Sequence, residues 1–122
     1  MVTLKIGGKM NKRQFQRVTA PHLTADISDG HGFFSGHVKD VSRFGLKLDG
    51  VHHRLREETK QLSIIVSGQG QNFKIRALPR WVHKQSYSKN LGVEILNVPI
   101  GWTEFVMNFE PETKMSEGQI SI

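Results

Sequence analysis

Between Leu23 and Leu96 the chain alternates short apolar-rich runs with turn-forming residues at intervals of about ten, and this rhythm restricts the fold most. His22–Ile27 is followed by Asp29-Gly30 and Gly32, a hairpin signal, since these residues accept the backbone angles that tight turns require. Phe33 to Val41 reads as a second strand and Phe44 to Leu48 as a third, with Asp49-Gly50 as its stop. Residues 51–59, with His52, His53, Arg54, Arg56, Glu57 and Glu58, are too polar for a strand and read as a loop. Gln61–Ser67 reads as a buried strand. Asn72–His83 reads as a long one, with Phe73, Ile75 and Ala77 on one face. Pro79 donates no ladder hydrogen bond, so it marks an edge or a bulge there. Asn90 and Gly92 precede a last strand, Gly92–Leu96.

After Pro99 the period changes. Trp102, Phe105, Val106 and Phe109 stand at i, i+3, i+4 and i+7, a one-sided amphipathic helix of two to three turns, ended by Pro111. An all-β fold with one C-terminal helix follows, in the form of a small antiparallel barrel. At 122 residues the chain suits a single domain with one core.

Charge is unevenly placed. Lys5, Lys9, Lys12, Arg13 and Arg17 lie within residues 1–22 without an acid among them, whereas the remainder is nearly neutral. A basic arm of this kind suits a phosphate-bearing partner, small or polymeric, although Lys5 and Lys9 also fit a solvated tail. Met10 offers a second start position, which leaves the native status of residues 1–9 open. Cysteine is absent, excluding disulfides and thiolate metal sites. No apolar run approaches the ~20 residues that span a bilayer, and the N-terminus lacks a signal-peptide core, so cytoplasmic localisation is expected.

Catalytic signatures are lacking: no G-x-S-x-G elbow, no H-E-x-x-H, no phosphate-binding glycine loop followed by lysine. The chain does not read as an enzyme. The six histidines show no ligand spacing, and the adjacent His52-His53 pair would point to opposite strand faces, so no metal or cofactor is expected.

Two short motifs carry the chemistry. Arg13-Gln14-Phe15-Gln16-Arg17 reads R-x-x-x-R, and Asp40-Val41-Ser42-Arg43-Phe44-Gly45 reads D-x-S-x-x-G. Arginine presents a planar cationic fork that pairs with phosphate or with guanine O6 and N7. A carboxylate such as Asp40 accepts from guanine N1–H and the 2-amino group, a pattern adenine does not offer. Ser42 adds a hydroxyl, and Gly45 leaves backbone open to a flat base. Read alone, the second segment equally describes an Asx-type turn.

Together and in this order, the motifs resemble those of PilZ domains, bacterial receptor modules for cyclic di-GMP. The resemblance covers roughly residues 12 to 110 and divides the chain into a flexible basic arm (1–12), a PilZ domain (13–110) and a C-terminal tail (111–122). It implies a six-stranded antiparallel β-barrel with the helix across one opening. It implies that Arg13 and Arg17 grip phosphate and the guanine Hoogsteen edge, and that Asp40, Ser42 and Gly45 hold the base from the turn between the second and third strands. Lys12, just before the first motif, is a position where a basic residue accompanies binding of a stacked ligand pair in the family.

Trp81 is a further candidate. Its ring either stacks a guanine outside the barrel or packs at its rim, and the break at Pro79 leaves its face open. The function so implied is a cyclic di-GMP receptor and adaptor. Ligand orders the N-terminal arm over the barrel and the signal passes to a protein effector. Two other readings stand beside it: a basic barrel binding RNA or single-stranded DNA, and a PilZ-like interaction module that binds no nucleotide.

Overall fold

The computed structural model describes residues 16–111. Six strands are present: β1 (Thr24–Ser28), β2 (Phe33–Ser42), β3 (Gly45–His52), β4 (Leu62–Gly68), β5 (Gln71–Lys84) and β6 (Ser88–Ile95), followed by α1 (Trp102–Met107). All neighbours are antiparallel, and the order β1-β2-β3-β6-β5-β4 closes on itself where β4 pairs with β1. Closure removes the free edges that would otherwise invite strand addition. The expected six-stranded barrel and its C-terminal helix are both present.

Alternation builds the core. Ala25 and Ile27, Leu62, Ile64 and Val66, Phe73, Ile75 and Ala77, and Leu91, Val93 and Ile95 point inward from their strands. α1 covers one opening with Trp102, Phe105 and Val106 buried, and Phe73 meets the Trp102 ring edge-on at 5.1 Å. Gly101, at φ 87, supplies the turn into this helix. The helical run is six residues, shorter than its sequence period suggests, but Phe109 still packs against the core from the turn beyond it.

At the opposite end the segment 53–61 crosses from β3 to β4 and drops Leu55 into the core. It is tied down from two sides. Asp29, itself buried, accepts the N–H groups of His31 and Gly32 at 2.8 Å and of Arg56 at 2.8 Å. Buried Lys89 donates to the Leu55 carbonyl at 2.8 Å and to Glu57.

Three register shifts, each one extra residue, interrupt the ladder: between Val38 and Asp40 on β2, between Leu48 and Val51 on β3, and between Pro79 and Trp81 on β5. The second corrects the sequence reading of β3. Asp49-Gly50 does not stop the strand. Gly50, at φ 68, forms a bulge and donates its N–H to Asn90 Oδ1, after which Val51 returns to the core. β6 likewise begins earlier than expected, at Ser88. Asn90 and Gly92 belong to the strand rather than to a turn before it. Pro79 sits at the third bulge, one of the two places expected for it.

Candidate functional site

The chain enters the fold beside the second motif. Val18 and Val41 exchange both backbone hydrogen bonds at 2.8 Å, so the residues before β1 run against the end of β2. Val18 is buried and anchors this contact, and Arg17 next to it reaches Asp40, Nη1 to Oδ1 at 3.4 Å. The last residue of the first motif thus touches the first residue of the second. Lys12 and Arg13 lie outside the described residues, as do the proposed arm, Met10 and residues 112–122.

The bulges explain which way the side chains point. Val38 and Val41 are both buried, three residues apart, and strict alternation cannot place both inside. The extra residue on β2 resolves this by turning Asp40 to the outer surface, where its side chain keeps 20% of its accessibility. On β5 the inward series Phe73, Ile75, Ala77 would carry Trp81 into the core. The bulge at Arg80 reverses that parity, and Trp81 stands outside at 39% exposure.

The two residues so turned out share one row. Asp40 pairs with Lys47, Lys47 with Gly92, and Gly92 with Trp81, a line across β2, β3, β6 and β5. Trp81 lies flat on Gly92: a Cβ there would stand 2.0 Å from the indole Nε1 and 2.3 Å from Cε2. Only glycine leaves room for the ring, which explains a glycine in mid-strand. Lys47 Nζ approaches the same ring, 5.9 Å from its centroid.

A second row, two residues along, carries the rest of the motif. Ser42 pairs with Gly45, Gly45 with Glu94, and Glu94 with Leu78. Ser42 is 8% exposed, and its carbonyl accepts the Trp102 indole N–H at 3.2 Å. A Cβ on Gly45 would meet the Val93 carbonyl at 3.1 Å and Ser42 Oγ at 3.4 Å, so this glycine permits close strand approach and, being buried, does not leave the open backbone expected from the sequence. Arg80 pairs with Glu94, its Nε donating at 2.7 Å.

The motif is also fastened to the helix end. Arg43 holds Glu110 through two hydrogen bonds, Nε at 3.1 Å and Nη2 at 2.9 Å. Contact with this carboxylate outweighs the effect of burial and raises the guanidinium pKa.

Arg17, Asp40, Ser42, Gly45 and Trp81 therefore lie on one wall of the barrel. Sequence reasoning missed Lys47 and Gly92. The isolated glycine inside a strand-like run was the available signal for Gly92, since it marks close approach of another group. Lys47 had only its position between two core leucines, Leu46 and Leu48, a placement many surface lysines share. Among the described residues no group of three or more His, Cys, Asp or Glu side chains could hold a metal ion, and no helix is long and apolar enough to cross a membrane.

The closed strand order and the helix across one opening define a small antiparallel β-barrel domain. The chain belongs to the PilZ domain family, whose model matches residues 11–101. Among solved structures it is similar to the Bacillus subtilis inhibitor of motility MotI/DgrA, with TM-score 0.65 and 14% identity. That match covers 88% of this chain and 53% of that one, so the chain spans about half the length of MotI. It is similar as well to the PilZ domain of YcgR from Escherichia coli, solved with c-di-GMP, with TM-score 0.64 and 15% identity over 89% of this chain and 99% of that one. No curated protein matches the sequence.

Proposed function

We propose that this chain is a cyclic di-GMP receptor that works by binding and relay rather than by catalysis. The observation that carries the reading is the row on the barrel wall. One bulge turns a carboxylate, Asp40, outward, another turns an indole, Trp81, outward, and Arg17 stands beside the first. Membership of the PilZ family and similarity to a YcgR domain solved with c-di-GMP support the same ligand.

In this reading Asp40 accepts from guanine N1–H and the 2-amino group, and Ser42 lies two residues along the same face. Arg13 and Arg17 bind phosphate and the Hoogsteen edge, and Lys12 extends the cationic segment toward a second, stacked ligand. Arg17 releases Asp40 to the base and closes over the ligand, carrying residues 1–17 onto the barrel. That ordering presents a new surface to a protein effector. The ligand drives it only through higher affinity for the ordered state.

Calorimetric titration with cyclic di-GMP tests this, with cyclic di-AMP and GTP as controls. Binding of cyclic di-GMP alone at micromolar affinity or tighter is expected, and the stoichiometry separates one ligand from a stacked pair. Equal affinity for all three, or none for any, would overturn the receptor reading and turn attention to RNA or protein partners.

A further inference from the structure

Lys47 occupies the middle of the row, with Asp40 on one side and Gly92, under the Trp81 ring, on the other. It is half-buried on a wall whose carboxylates are otherwise engaged. Asp40 is paired with Arg17, Glu94 with Arg80 and Asp49 with Lys39, and among the described residues no ion pair reaches Lys47. Its Nζ lies 5.9 Å from the centroid of the Trp81 ring, close to the outer limit for a cation–π interaction. Among the described residues the position therefore holds an ammonium without an ion-pair partner, between the Asp40 carboxylate and the Trp81 indole.

The distance across the row points to what this charge meets. Three strand-to-strand steps separate β2 from β5, about 14 Å at the usual ~4.8 Å spacing. The Trp81 ring shortens this by lying back over Gly92. A cyclic dinucleotide reaching from Asp40 to Trp81 would cross the centre of this row, where Lys47 stands.

We infer that Lys47 is a further ligand-contacting residue of this site, its ammonium binding a phosphodiester oxygen of the cyclic dinucleotide. The inference rests on the receptor reading above and adds a cation that neither sequence motif contains. Lysine suits the task as a compact, movable point charge, while the arginines before β1 supply the planar forks.

The test is a titration of wild type, Lys47→Met and Lys47→Arg with cyclic di-GMP at several salt concentrations, with thermal unfolding of each. Met keeps the stem and its packing but removes the charge. Affinity is expected to fall about tenfold in Lys47→Met, and its weakening with added salt to become shallower, because one screened charge–charge contact is lost. Lys47→Arg should stay within about threefold of wild type, because it keeps a cation at the same place. Lys47→Gln repeats the experiment with a polar stem if the methionine variant unfolds early. A folded charge-free variant that binds as wild type does, or that loses affinity with an unchanged salt slope, overturns the inference alone. A wild-type chain that binds no cyclic di-GMP overturns the receptor reading, and this inference falls with it.

Discussion

At 3.4 Å the Arg17–Asp40 contact is long for a charge-assisted hydrogen bond, and Arg17 keeps 48% of its side-chain accessibility. Such a surface pair adds little to stability, so ligand can replace it at low cost. Arg17→Ala is expected to weaken cyclic di-GMP binding at least about tenfold while leaving the unfolding midpoint nearly unchanged, since surface pairs contribute under ~1 kcal/mol. Calorimetry and a melt on the same sample check both halves. Asp40→Ala is expected to act on selectivity. The ratio of cyclic di-GMP to cyclic di-AMP affinity should drop by about 10-fold or more, the scale of one good bidentate base contact. Asp29 is a carboxylate of another kind. Burial pushes its pKa up, but the three backbone N–H groups of Arg56, His31 and Gly32 outweigh this and hold it below the usual carboxylate range. A depressed folded pKa means that its stabilisation is complete above the unfolded value, about pH 4, and is lost as pH falls through the folded one. Asp29→Asn should lower stability at pH 7 by about 1–3 kcal/mol, and the difference should shrink in acid melts below about pH 4. A difference that persists unchanged at low pH would show that shape, not charge, matters there.

At the scale of elements, the bulges of β2 and β5 decide the site, and glycines show how tightly each wall is packed. Gly92 and Gly68 both lack room for a Cβ, but for different reasons. At Gly92 the obstacle is the Trp81 ring, a partly exposed side chain that can lift away. At Gly68 it is the His22 carbonyl at 2.5 Å, on a backbone held at φ 147. Gly68→Ala should therefore cost more than about 2 kcal/mol, since both backbone strain and a backbone clash oppose it. Gly92→Ala should cost less than about 1.5 kcal/mol, yet shift tryptophan emission and weaken cyclic di-GMP binding as the ring leaves its seat. Chemical denaturation with fluorescence detection reads both. Equal destabilisation by the two substitutions would contradict this packing. α1 belongs to the same scale. Trp102 bonds the Ser42 carbonyl and Arg43 bonds Glu110, so hydrogen bonds tie the D-x-S-x-x-G turn to the start of the helix and to the turn beyond its end.

For the whole molecule, a ligand that binds only the folded barrel must raise its stability. Cyclic di-GMP at 100 times its Kd should add about 2.7 kcal/mol per site, seen as a Tm increase that grows with the logarithm of ligand concentration. Cyclic di-AMP at the same concentration should give a much smaller shift. A barrel whose Tm is insensitive to cyclic di-GMP would be a PilZ-family scaffold with another task.

Most strands, the closing helix and the core residues were legible in the sequence, because alternation and turn chemistry are local. The R-x-x-x-R and D-x-S-x-x-G segments were legible too, as was their resemblance to a PilZ domain. The early start of β6, the continuation of β3 past Asp49-Gly50 and the outward turn of Trp81 were not. Each depends on one residue inserted against a partner strand, and a single chain segment carries no record of its register. Asn90 and Gly92 look like a turn until the Trp81 ring is placed on Gly92, and Lys47 looks like any surface lysine until Asp40 and Trp81 flank it. The sequence by itself determined an antiparallel barrel with a basic entry segment and an acidic turn. Only the tertiary structure decided that Asp40, Lys47 and Trp81 share one wall, because strand register, set by packing between distant segments, chooses which face each side chain takes.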